Sequence, residues 1–208
     1  MINPLSVLFM LVTAVFNMSV QDDPVSAFAD KVADARVRLE YSYLADDGGM
    51  KLSGKGIATV QDDCYHVSGD GFEIWCDGES VYTVDPAAME AVIESVSSYE
   101  GQGFVANPVS IVRNIANEFS WTPQATDAYF QGCLTERYDL EPTDTSSGVG
   151  MLVLYFRPDD SSLYGVEVYT DSAKVTFTLS EVEFLAEGDM SEFNPPAFGQ
   201  EYIVTDLR

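Results

Sequence analysis

Positive charge is scarce in this chain: 10 Lys and Arg stand against 34 Asp and Glu, a formal charge of −24 over 208 residues. No basic stripe offsets that balance, so the surface repels phosphates and nucleic-acid binding is excluded as an expectation. The same charge disfavours resting on anionic lipid headgroups and favours a freely diffusing monomer. Histidine occurs once, at His66, and no Gly-x-Ser-x-Gly segment is present, so no Ser-His-Asp hydrolase is supported. Phosphate-cradling Gly-rich loops are missing as well. The apolar run Leu5–Phe16 spans 12 residues, short of the ~20 that a membrane-spanning helix needs.

Three cysteines occur, Cys64, Cys76 and Cys133. With no second histidine and no close cysteine pair, they offer no zinc site. If the Gly-Asp-Gly at 69–71 turns a hairpin, Cys64 and Cys76 come opposite each other, as a disulfide or as two small buried thiols. Paired carboxylates at Asp62-Asp63 and Asp159-Asp160 are of the type used in glycoside hydrolysis. Among 34 acidic residues such pairs arise by chance and sit in solvated turns. The DDGG and GDGFE segments lack the full calcium-loop spacing. The expectation is a non-enzyme without metal or cofactor.

Residues 1–20 hold no Asp, Glu, Lys or Arg, and acidic residues begin abruptly at Asp22. That pattern reads as a secretory signal segment over 1–20, although no Lys or Arg precedes the apolar run. An uncleaved N-terminal anchor is the alternative. Residues 21–208 then form a single domain long enough to bury a sizeable core.

Asp23 and Pro24 suit the cap and first position of a helix. Val25, Phe28, Ala29, Val32 and Ala33 follow at helical spacing and form one apolar stripe. The period then changes to two: Val37, Leu39, Tyr41 and Tyr43 alternate with Arg38, Glu40 and Ser42, the mark of a half-buried strand. Further strands are expected at 51–60, 64–68, 72–76, 80–84 and 89–96. Residues 89–96 are also rich in helix formers, but Val92 and Val96 alternate with Ala91 and Ile93. A second amphipathic helix is expected over 107–117, opened by Asn107-Pro108. Beyond it, strands are expected at 130–140, 148–157, 163–169 and 174–184, separated by turn clusters such as TDTSSG and PDDSSL. Both faces of 151–156 are apolar, so that strand should be covered on both sides.

Asp77-Gly78 falls between two strand-like runs and suits a tight hairpin, Val81-Tyr82 follows, and Asp85-Pro86 closes the next strand. This order resembles the LolA-like lipoprotein carrier family, and the Phe193-x-Pro-Pro segment with a terminal strand resembles the family's ending. The likeness runs loosely from about Phe28 to Val204. Family members tend to carry a basic residue in the strand before the Asp-Gly hairpin; here His66 is the only basic residue in that place. The first cysteine is Cys64, far from the signal segment, so the chain is not expected to be lipidated itself and matches the soluble member of that system.

About ten strands and two helices make an α+β protein with one strongly curved antiparallel sheet, an open half-barrel whose concave face the helices cover. A sheet this long must curl or split to bury its apolar face. Two helices cannot fill the interior, and the remainder becomes a greasy pocket. The resemblance implies a periplasmic carrier that shields the acyl chains of lipoproteins, or similar lipid cargo, during transfer to the outer membrane between membrane-bound donor and acceptor proteins. An exported scaffold of the same fold without cargo is the alternative. Expected cavity residues are Phe28 and Val32 from the first helix, and Ile111 and Ile115 from the second. Leu39, Tyr41, Tyr43, Trp75, Ile93, Leu154 and Phe177 are expected from the sheet.

Overall fold

The computed structural model describes residues 23–100, 115–144 and 148–208, the side chains of 99 and 100 excepted. The chain opens on helix α1 (Pro24–Ala33), whose cap Asp23 accepts hydrogen bonds from the backbone of Val25 (3.0 Å) and Ser26 (3.1 Å). Two of the donors that a helix start leaves unpaired are thereby satisfied. Six strands follow: β1 (Arg36–Asp46), β2 (Lys51–Gln61), β3 (Cys64–Gly69), β4 (Phe72–Cys76), β5 (Ser80–Asp85) and β6 (Glu90–Ser95). The short helix α2 (Val96–Glu100) comes next. The second half contains β7 (Phe119–Trp121), β8 (Thr126–Phe130), β9 (Cys133–Pro142), β10 (Val149–Phe156), β11 (Leu163–Thr170) and β12 (Lys174–Leu185). A 3-10 helix (Met190–Phe193) and β13 (Ile203–Asp206) close the chain.

All 13 strands belong to one open sheet in the order β13-β6-β5-β4-β3-β2-β1-β12-β11-β10-β9-β7, with β8 also on β9. Pairing is antiparallel throughout, except that β13 runs parallel to β6. A parallel neighbour needs a long crossover, supplied by the segment between β12 and β13. The tight antiparallel links use residues that tolerate positive φ. Asp70 and Gly71 (φ 53° and 87°) join β3 to β4, and Gln131 and Gly132 (48° and 80°) join β8 to β9. Both are two-residue hairpin turns, whose central positions demand that conformation.

The second of these turns corrects a sequence expectation. Residues 130–140 read as one strand, but the structure breaks them at Gln131-Gly132 into two paired strands. Glutamine is an unusual turn residue, and apolar alternation continues through it. The 89–96 segment is strand over Glu90–Ser95. Of the helix expected over 107–117, residues 115–118 are helical and the rest lies outside the described residues, as does the segment 1–20.

Alternation along the strands separates two faces. On one, Val37, Leu39, Ala58, Val67, Leu140, Leu154, Phe156 and Phe177 join a single core cluster that also takes Val25, Phe28 and Val32 of α1. The opposite face carries a smaller cluster of Phe130, Val153 and Tyr155, where Phe130 stacks on Tyr155 at 4.3 Å. Strand β10 is therefore apolar on both sides, as its sequence indicated. Near its rim, Arg36 ties the C-terminal segment to the sheet. Its Nε donates to Gln61 Oε1 (2.9 Å), its Nη2 donates to the Asp189 carbonyl (3.2 Å), and its guanidinium stacks over buried Phe193.

Candidate apolar pocket on the core face

Strand β2 has unusually little side chain on its core face. The cross-strand register places Gly56 opposite Tyr41, and Gly54 opposite Tyr43; on the next strand Gly69 lies opposite Gly56. The two tyrosines lean across this bare backbone. A Cβ on Gly56 would meet the Tyr41 hydroxyl at 2.8 Å, and one on Gly54 would meet Tyr43 Cε1 at 2.7 Å. Glycine in a strand interior weakens it and marks a place where something else approaches the backbone closely.

Beside Gly69 opens a pocket of about 300 Å³, lined mainly by carbon. Its walls are Tyr41, Tyr43, Val67, Ile74, Val175 and Phe177, and Leu52 and Phe72 stand at it with 56% and 49% of their surface exposed. Exposed apolar side chains beside a concave apolar surface are what a site for a greasy ligand needs. Polar groups are few. Burial, with Tyr43 and Asp70 nearby, pushes the Tyr41 hydroxyl up to about 12, so it stays neutral at physiological pH. Tyr43 is also raised, first by burial and then by its hydrogen bond to the Asp70 carboxylate. A wider depression of about 480 Å³ adjoins the pocket, sharing Tyr41, Lys55, Gly69 and Asp70 and extending past Gly56 to Ser42 and Ser68.

The expected cavity residues separate into distinct places. Tyr41, Tyr43 and Phe177 come together as pocket wall. Leu39, Leu154, Phe28, Val32 and Ile115 are buried in the packed core, with Leu154 and Ile115 fully inaccessible. Phe28 meets Phe156 and Phe184 edge-on at 6.3 and 6.0 Å. Ile111 lies outside the described residues.

Trp75 and Ile93 are corrections. The register runs Thr59–His66–Trp75–Tyr82–Ile93 across neighbouring strands, a row one residue out of step with Ala58–Val67–Ile74–Thr83–Val92. A one-residue step moves a side chain to the other face, so both sit away from the core. Trp75 is occupied there by His66, stacked at 3.5 Å, while His66 Nε2 hydrogen-bonds Glu73 at 2.6 Å.

Sequence reasoning passed over Val67, Ile74, Leu52, Phe72 and, above all, the glycines. The signal was present: Gly54 and Gly56 stand two apart in a strand, hence on one face, next to two tyrosines at the same spacing.

Other reactive residue types are accounted for elsewhere. None of the three cysteines forms a disulfide; Cys64 and Cys76 are buried and Cys133 is exposed. The residue across from Cys76 is Tyr65. Burial pushes the Cys76 thiol up to about 11, which keeps it protonated. Acidic pairs work in turns: Asp46 and Asp47 accept from the backbone of Gly48, Gly49 and Met50, and Asp160 from Ser162. No group of three or more His, Cys, Asp or Glu suited to a metal occurs among the described residues.

No protein-family model matches the sequence, and no curated protein matches it. Solved structures do resemble it. An uncharacterized conserved protein from Thermus thermophilus superposes with a TM-score of 0.52 at 7% identity, covering 88% of this chain and 96% of that one. A domain named for outer membrane lipoprotein sorting from Vibrio parahaemolyticus gives 0.46 at 12%, with 82% and 94% covered. A LolA superfamily protein from Nitrosomonas europaea gives 0.41 at 9%, with 82% and 97% covered. The chain is thus similar in fold to the Thermus thermophilus protein.

Proposed function

We propose that this protein is an exported, soluble, non-enzymatic carrier. In this reading it works in the periplasm as a monomer, and shields an acyl chain of a lipoprotein or similar lipid cargo between membrane-bound donor and acceptor proteins on the way to the outer membrane. The core face is taken as the concave side of a curved sheet, with α1 and the 107–117 segment over it. One observation carries the reading: the core face holds an apolar pocket of about 300 Å³ walled by Tyr41, Tyr43, Val67, Ile74, Val175 and Phe177. Each methylene moved there from water is worth ~0.8 kcal/mol, so even part of an acyl chain gives useful affinity. The volume sits at the low end of the ~300–1,000 Å³ typical of small-molecule sites, which suits one chain at a time.

The ligand contacts then fall on Tyr41, Tyr43, Phe177, Val67, Ile74, Leu52 and Phe72. Phe28, Val32, Leu39, Leu154 and Ile115 serve as the packed floor and support rather than as a lid. The test is mass spectrometry of lipids extracted from protein purified without detergent. An acylated species should be retained, and Leu52→Asp should release it without unfolding the protein. Clean protein that also takes up no added acyl chain would instead favour the cargo-free scaffold.

A further inference from the structure

The polar side of the pocket restricts which head a bound chain can carry. Asp70 brings a carboxylate to the core face: a Cβ on Gly54, a core-face position, would overlap that carboxylate, and it lies close enough to raise the Tyr43 hydroxyl. A carboxylate only accepts hydrogen bonds and has about four lone-pair sites. Among the described residues the backbone N–H of Lys55 donates to it, at 3.4 Å. Acceptor capacity therefore remains. Lys55 borders the pocket as well, but among the described residues it makes no ion pair with Asp70. Strand alternation sends the Lys55 side chain to the opposite face, in register with Ser42, and its carbonyl is what borders Gly69. Around this one charge stands a chain of net charge −24.

Resting on the carrier reading above, we infer that the pocket takes a single-chain amphiphile whose head donates hydrogen bonds and carries no negative charge, an amine or a hydroxyl, seated on Asp70. A carboxylate or phosphate head would meet a like charge at short range, which opposes its seating. A protonated amine gains a charge-assisted hydrogen bond; a hydroxyl gains a neutral one.

Three probes with one tail length separate these heads: dodecylamine, monolauroylglycerol and laurate, each titrated below its micelle concentration into the native protein. At 0.15 M salt the screening length is about 8 Å, so distant surface charge is damped and the local carboxylate dominates. Affinity should fall in the order amine, monoacylglycerol, laurate, with amine and laurate differing by on the order of tenfold. Asp70→Asn should bring the three within about twofold, since the amide is uncharged. Asp70 has φ 53° in its turn, a conformation Asn tolerates well, so the fold should survive. Tyr43→Phe is an independent check: removing the hydroxyl beside Asp70 should strengthen amine binding. Laurate binding as tightly as the amine, or an amine preference unchanged in Asp70→Asn, overturns the head assignment while leaving the carrier reading standing. Failure of all three probes to bind overturns the carrier reading, and this inference with it.

Discussion

Two halves of the same face of the same sheet behave differently. Beneath α1, the face is filled: Val37, Leu140, Leu154 and Phe156 are inaccessible, and Phe28 and Tyr138 meet Phe156 edge-on at 6.3 and 5.7 Å. Two residues further along β1, around Tyr41 and Tyr43, it opens into a pocket of about 300 Å³. Hydrophobicity does not distinguish the halves, for both are lined by carbon. Side-chain volume does. Where β1 pairs with Ala58 and Val60 the layers interlock; where it pairs with Gly54 and Gly56, the Tyr41 and Tyr43 rings lie across the bare strand and become pocket wall. Small residues in register, not extra apolar ones, give those rings that course.

The comparison breaks first at the filled half. Phe156→Ala leaves a hole among close-packed neighbours and should destabilise the fold by ~3–5 kcal/mol, read from denaturant midpoints. A loss under 1 kcal/mol would mean that this half is as loosely packed as the other. At the open half, Gly56→Ala places its Cβ 2.8 Å from the Tyr41 hydroxyl and 2.9 Å from the Ser68 carbonyl. It should cost ~1–3 kcal/mol and reduce binding of an acyl probe; unchanged stability and binding would contradict the register argument.

Helix α1 is held to the filled half by Asp23, which caps it and also accepts from Trp121 Nε1 at 3.1 Å. Asp23→Ala should lose ~0.5–2 kcal/mol by thermal or chemical unfolding, with little change in probe affinity.

Acid sharpens the contrast between faces. On the face away from the core, Glu167 is buried and accepts from Tyr155 (3.0 Å), Tyr169 (2.8 Å) and Lys174 (2.6 Å). Burial alone would raise its pKa, but the Lys174 and tyrosine hydrogen bonds outweigh that and hold it below the ordinary carboxylate range. A depressed folded pKa stabilises the protein above the unfolded value, ~4.3 for Glu, and this stabilisation fades as pH falls through the folded value. Stability followed from pH 6 downward should drop more steeply for the native chain than for Glu167→Gln; parallel curves would deny that linkage.

The smallest stability effect belongs to Leu52→Asp. At 56% exposure it should change stability by no more than ~0.5 kcal/mol while weakening acyl-probe binding.

Much of the architecture was legible along the chain. Alternation and turn residues placed β1 to β6 within a residue or two, and Asp23-Pro24 placed the start of α1, because these signals are local and repeat at a fixed period. Three features were illegible for a shared reason. The split at Gln131-Gly132 hides inside continuous alternation. Trp75 and Ile93 lie on the outward parity of β4 and β6, and nothing within either strand marks which parity faces the core. The parallel seat of β13 on β6 depends on partners more than a hundred residues apart.

The sequence by itself determined where the strands lie, which residues share a face within each one, and that positive charge and catalytic residue types are scarce. Only the tertiary structure decided which face is the core, which rows line up across strands, and that Gly54 and Gly56 fall beneath Tyr41 and Tyr43. The physical reason is that a period of two divides a strand into sides without naming either. That choice is made between strands, by long-range register and packing, and the pocket exists only there.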